Sequence, residues 1–315
     1  MRIWALPLVC ALLVAQDDTT IKVNVDLVNI LFSVHNKRGG LVGNLEKDQF
    51  TLLEDNKQQD IKYFTRETDL PLTIGLLIDV SASQGNLIGI EQEAASQFFG
   101  QVLRKKDLAF LISFGADADL LQDYTNSPQL LRDGLRGLKV NSSVGGLHPG
   151  PVPTVYQPRG TILYDAVYLA ATDQLKGQVG RKVLVLITDG EDQGSRYKIE
   201  QAIEVAQKAD AIIYGFYYVD RGFYSRGGFG FGGVSDSALK RMAEDTGGRV
   251  FHIGRNPTLQ DAFRELQDEM RSQYAIGYVP TNAVKDGKFR RIEVHTADKE
   301  LKVQARKGYY ATKAE

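Results

Sequence analysis

Residues 70–83 read LPLTIGLLIDVSAS, and this stretch decides the fold. Leu72, Ile74, Leu76, Leu77 and Ile78 form an apolar run without a charge, the texture of a strand buried on both faces at the centre of a parallel sheet. The run stops at Asp79 and then supplies hydroxyls at Ser81 and Ser83. Ligands of open α/β sheets sit beyond the carboxyl ends of the strands, so three oxygen-bearing side chains spaced two apart are presented there to one point. Oxygen ligands suit a hard cation. One carboxylate and two neutral hydroxyls carry too little charge for a tight calcium cage and suit magnesium, which keeps several of its waters.

Asp79-Val80-Ser81-Ala82-Ser83 resembles the DxSxS motif of the von Willebrand factor type A (vWA) family, whose metal-ion-dependent adhesion site (MIDAS) adds a Thr and an Asp from two later loops. Thr161, within the RGTILYDA of residues 159–166, matches the Gly-Thr segment that opens a helix. Asp189, within the VLVLITDG of residues 183–190, matches the strand that ends in Thr-Asp-Gly. The resemblance implies a metal site of Asp79, Ser81, Ser83, Thr161 and Asp189. In the family the hydroxyls contact the metal directly and the Asp residues often act through water. A cation with few direct carboxylates stays electrophilic and draws an Asp or Glu from a protein partner into its open position. The implied metal is Mg2+, with Ca2+ or Mn2+ as alternatives.

The chain of 315 residues opens with Met1-Arg2, an apolar segment over 3–14, and Ala15 before the polar Gln16-Asp17-Asp18. This is the pattern of a secretory signal over 1–15. The segment is too short to span a bilayer and no later stretch is long enough, so the expected location is secreted, periplasmic or in the cell envelope, with no transmembrane segment. Cys10 lies within the leader and lacks the small residues that precede a lipid-modified Cys. The mature chain then has no cysteine and relies on its core. With 38 basic and 39 acidic residues the charge is near neutral, which argues against a nucleic-acid partner.

Three textures follow one another. Residues 17–68 alternate apolar and polar positions, with strands at 21–27, 30–34, 50–54 and 61–64. The last two are read as a hairpin around Asp55-Asn56-Lys57. Residues 70–272 alternate strands and helices, the sign of a parallel α/β sheet. The helices are expected at 90–103, 128–138, 162–175, 198–209, 236–246 and 259–272. The strands are expected at 72–78, 108–114, 182–188, 211–219 and 249–253, with a short edge strand at 119–122. Strands resume over 273–312. Neither flank has enough strands to close a core alone. The expected fold is therefore a doubly wound, mostly parallel α/β domain of vWA type, inserted in a β-sandwich built from the N- and C-terminal flanks. The flanks and leader most resemble the secreted VWFA-related proteins described from Acidobacteria.

Other features carry simpler readings. Thr161 would also serve as an ordinary helix N-cap. Asp165, one turn further on, is expected to orient the loop rather than bind metal. Glu191 and Asp192 read as surface charges, and so do Arg290-Arg291. Gly228 to Gly233 matches GxGxxG, but no strand leads directly into it and no helix opens on it, so the dinucleotide reading fails. Residues 221–233 and 141–159 are read as loops near the rim, the first rich in aromatics. Asn141-Ser142-Ser143 is a formal glycosylation sequon, expected to be unused if the chain is bacterial as the resemblance implies, and His148 is a lone His not expected to bind metal. The expected function is a non-enzymatic, metal-dependent protein-binding or adhesion module. One alternative is a Mg2+-dependent hydrolase or phosphotransferase with Asp79 as nucleophile, which Ser81 disfavours because that chemistry places a second carboxylate there. Another is a structural scaffold whose metal stabilises the fold.

Overall fold

The computed structural model describes residues 27–67, 70–140, 160–220, 222–223 and 235–311. The leader, Cys10, residues 21–26 of the strand expected at 21–27, the loop 141–159 and all of 221–233 except 222–223 lie outside the described residues.

The central strand β5 (Leu72–Asp79) is buried at every position, as its unbroken apolar run requires. It pairs in parallel with β6 (Leu108–Phe114) on one side and β8 (Arg181–Thr188) on the other. Beyond β8 lie β9 (Ala211–Tyr217) and β10 (Val250–His252), also parallel, and β7 (Ala118–Thr125) closes the far edge antiparallel to β6. Even-numbered β5 side chains such as Ile74, Leu76 and Ile78 pack under α1 (Ile88–Val102), α2 (Pro128–Leu135) and α6 (Leu259–Arg271). Leu77 faces the opposite layer of α3 (Leu163–Leu169), α4 (Ile199–Lys208) and α5 (Ser237–Thr246). Period two along the strand thus serves two helix layers at once. The helix expected at 162–175 is α3 followed by a π-helical stretch, Ala170–Leu175.

The flanks interleave. One sheet has the order β13–β1–β11–β4 and the other β14–β12–β2–β3. The N-terminal flank gives β1 (Val28–His35), β2 (Phe50–Glu54), β3 (Lys57–Gln59) and β4 (Ile61–Glu67). The C-terminal flank gives β11 (Gln273–Tyr278), β12 (Phe289–Thr296), β13 (Lys302–Ala305) and β14 (Gly308–Tyr310). Their common core includes Ile30, Phe32, Leu52, Tyr274, Ile276 and Ile292, with the Phe32 and Phe50 rings edge-to-face at 5.2 Å. Burying apolar faces from both flanks in one core supplies what neither has alone.

The hairpin expected between 50–54 and 61–64 forms differently. Asp55 and Asn56 both adopt positive φ, 46° and 64°, so the turn closes on two residues and pairs Glu54 with Lys57. After the exposed Asp60, β4 crosses to the other sheet and pairs with β11. Arg290 is likewise not a surface charge: it is buried and donates to Val284 O (3.1 Å) and Asp286 Oδ1 (2.8 Å). Among the described residues, no helix is long and apolar enough to cross a membrane.

Candidate functional site

The parallel strands end together, and the sequence-predicted residues gather on that rim. Asp79, at the end of β5, is fully buried. Its Oδ1 accepts the Ser81 amide (2.9 Å), an Asx-type turn that bends the chain out of the strand. Its Oδ2 accepts from Thr188 Oγ1 (2.6 Å) at the end of β8. The turn places Ser81 Oγ and Ser83 Oγ 3.0 Å apart. Asp189 follows Thr188 and is buried beside Asp79, its Oδ1 accepting the Glu191 amide at 3.3 Å. Burial, and then the Asp189 charge, push the Asp79 pKa up to about 7.

Thr161 is brought to the same rim by two backbone bonds that flank its side chain. The amide of Ile162 donates to Gly115 O (3.0 Å), one residue beyond Phe114, the β6 partner of Asp79. The Gln193 amide donates to Thr161 O (2.9 Å), which ties Thr161 to the loop after Asp189. Two glycines permit this closure. Gly190 has φ of +84°, and a Cβ there would meet Ser235 O at 2.9 Å, while a Cβ on Gly160 would meet the Gln193 side chain at 2.5 Å. Thr161 does not cap α3 with its side chain, because the N-cap is Ile162.

The acids that follow hold the loop. Asp192 Oδ1 accepts the Tyr164 amide (3.2 Å) at the start of α3 and the Ser195 hydroxyl (2.5 Å), so it acts where the sequence reading gave it only solvation. Asp165 Oδ1 accepts the amides of Arg196 (2.8 Å) and Tyr197 (2.9 Å), and the Tyr168 and Tyr197 rings stack at 3.6 Å. Glu191 is partly buried, and burial raises its pKa.

Three residues escaped the sequence reading. Thr188 clamps Asp79 and also accepts the Gly190 amide (3.0 Å); its place one residue before Asp189, on the opposite face, was the available signal. Glu91 and Gln84 are fully buried behind Asp79, on α1 and on the short 3-10 turn before it. A Glu among Ile88, Ile90 and Ala94 at helical spacing looks like an ordinary exposed position, so nothing in the sequence marked it.

The chemistry of the rim is a set of acceptors: two buried carboxylates side by side and three hydroxyls, which fits an oxygen-liganded divalent cation that keeps part of its water. Among the described residues, no group of three or more His, Cys, Asp or Glu has metal-ligand spacing. A site here therefore depends on the hydroxyls. A groove of about 1020 Å3, lined by Lys182, Lys208 and Ala211 among others, lies at the amino ends of β8 and β9, away from the rim.

Comparison with curated proteins returns no match. Among solved structures, a von Willebrand factor type A protein from Catenulispora acidiphila is 13% identical, with a TM-score of 0.49 over 91% of this chain and 74% of that one. Proximal thread matrix protein 1 from the mussel byssus, with a zinc-occupied MIDAS motif, is 14% identical, with a TM-score of 0.49 over 68% of this chain and 48% of that one. An aerotolerance-related membrane protein from Bacteroides fragilis is 15% identical, with a TM-score of 0.44 over 63% of this chain and 98% of that one. The family model for von Willebrand factor type A domains matches residues 151–287, a span that holds Thr161 and Asp189 but begins after Asp79, Ser81 and Ser83. Domains of this kind commonly mediate metal-dependent protein interactions. With a mostly parallel sheet between two helix layers, the α/β domain of this chain has the vWA-type fold.

Proposed function

We propose that this protein is a secreted or envelope-located, non-enzymatic binding module, whose rim residues Asp79, Ser81, Ser83, Thr161 and Asp189 hold a divalent cation. The observation that carries the reading is that the segments bearing these residues meet at the carboxyl ends of β5 and β8, with Asp79 and Asp189 both buried and close enough for the Asp189 charge to act on Asp79. Mutual repulsion and lost hydration make two such carboxylates costly unless a cation joins them. Mg2+ suits the hydroxyl-rich set best, with Ca2+ and Mn2+ as alternatives. The bound ion supplies an open, electrophilic position. An Asp or Glu of a protein partner fills it. Residues 17–68 and 273–312 are read as two halves of one sandwich in which the domain 70–272 is inserted.

The hydrolase reading is weaker because the second carboxylate near Asp79 comes from β8 and not from the position of Ser81. The scaffold reading is separated by partner capture in Mg2+ against chelator. The direct test is the double variant Asp79→Ala, Ser81→Ala, which should abolish Mg2+ binding in isothermal titration while circular dichroism stays native. A folded double variant that still binds Mg2+ would remove the assignment.

A further inference from the structure

Glu91 sits in the first turn of α1, fully buried, and neither of its carboxylate oxygens has a hydrogen-bond partner among the described residues. That is an expensive arrangement, since a buried acceptor left unsatisfied forfeits its hydration with nothing in return. Burial, and then the neighbouring Asp79 carboxylate, push its pKa well above the usual carboxylate range. Gln84 repeats the pattern. It is fully buried, its Nε2 donates to Tyr218 O (3.2 Å), and its Oε1 is unpartnered. The bond to Tyr218 O, one residue beyond β9, seats Gln84 between the loop after β5 and the end of β9, and Glu91 lies on the next turn of chain, buried on the same side of the sheet.

All three orphan atoms are acceptors. What the place lacks is donors, and of a kind that tolerates negative charge around it. A hydrated divalent cation brings such donors, because the O–H groups of its waters point away from the metal and are strongly polarised. Direct ligation by Glu91 is disfavoured, because no triad of acidic or His side chains here has metal-ligand spacing among the described residues.

We propose that Glu91, assisted by Gln84, accepts hydrogen bonds from water carried by the rim cation, and so sets the affinity of the site from behind its ligands. The inference rests on the reading of the rim as a cation site. It makes Glu91 a positioning residue whose buried, unpartnered carboxyl group strains the metal-free protein and is satisfied on loading, which separates it from a core filler.

The test uses the full chain, Mg2+ as the probe, and two readouts: affinity by isothermal titration, and melting temperature in chelator and in saturating Mg2+. Glu91→Gln should weaken Mg2+ binding by about tenfold, in the range found when groups that orient a metal's ligands are changed. It should also raise the melting temperature in chelator, so the gap between the metal-free and loaded proteins narrows. Glu91→Met, which leaves no polar atom in the place, should give the same rise without metal. A filler role predicts the reverse: both melting temperatures fall together and the affinity stays. Equal Mg2+ affinity in parent and Glu91→Gln, or a lower metal-free melting temperature in both variants, overturns the proposal while leaving the rim reading intact. A parent chain that binds no Mg2+ overturns the rim reading and this inference with it.

Discussion

Two buried glutamates on neighbouring helices of the same layer show opposite ways of keeping a charge out of water. Glu269, on α6, is surrounded by donors. Its Oε1 accepts from Ser33 Oγ (3.1 Å), the Tyr214 hydroxyl (3.1 Å) and Gln304 Nε2 (3.2 Å), and its Oε2 accepts from Arg249 Nε (2.7 Å). These donors come from β1, β9, β13 and the approach to β10, so one carboxylate joins both flanks to the α/β domain. Glu91, on α1, has no such partner among the described residues. A charge satisfied from within is structural and indifferent to solutes; one that lacks donors waits for them from outside. The first kind ties both flanks to the α/β domain, and the second kind is what the proposed rim cation would satisfy.

The comparison is broken most directly at Glu269. Glu269→Ala leaves Arg249 with Glu265 (2.7 Å) alone and takes the buried acceptor from three neutral donors, and the loss should be about 3 kcal/mol by urea denaturation. It should be the same with and without Mg2+. A loss below about 1 kcal/mol would mean that the junction is wetter than its geometry implies.

Acidity at the rim sharpens the contrast. The folded protein holds the Asp79 proton up to about pH 7, whereas the unfolded chain releases it near the ordinary value of 3.8. Between those values the folded state binds more protons than the unfolded one, so raising the pH lowers stability. For this one group the slope is about 1.4 kcal/mol per pH unit. Metal-free protein should therefore lose stability from about pH 4 to pH 7, Asp79→Asn should remove that component, and saturating Mg2+ should flatten the slope because the cation favours the ionised form. A metal-free curve that rises across this window would contradict the burial of Asp79 as an uncompensated acid.

Much of this was legible in the sequence, for physical reasons. The run from Leu72 to Ile78 has only one stable home, a strand covered on both faces, and the ends of parallel strands must share a rim. Together with the vWA resemblance, that puts Asp79 and Asp189 on one rim. The strand crossing at Asp60 was not legible, because alternation gives a strand its faces and leaves its partner open; the two positive-φ residues Asp55 and Asn56 decided that β2 turns back onto 57–59. The support around the rim was hidden for another reason. Thr188, Glu91, Asp192 and Ser195 act through tertiary contacts between distant segments, and their types are ordinary at their local positions.

Asp165 is an intermediate case, and it gives the smallest effect. It is nearly buried, like Glu269 and Glu91, but its donors are the backbone amides of Arg196 and Tyr197 rather than charged groups or outside water. Those two amides belong to the loop whose Gln193 amide holds Thr161 O, so the carboxylate reaches the rim only through a stretch of chain. Asp165→Ala frees both amides toward solvent and should cost about 1–2 kcal/mol, since water replaces much of what is lost. The stacked Tyr168 and Tyr197 rings continue to hold the loop against α3. Mg2+ affinity should then fall only a few-fold, less than the roughly tenfold expected at Glu91, which acts on the cation's own water. Asp165→Asn keeps an acceptor in place and should recover most of both losses. If Asp165→Ala instead weakened Mg2+ binding more than Glu91→Gln does, the loop from Asp189 to Tyr197 would be the dominant control of the rim, and the buried acceptors behind Asp79 would be secondary to it.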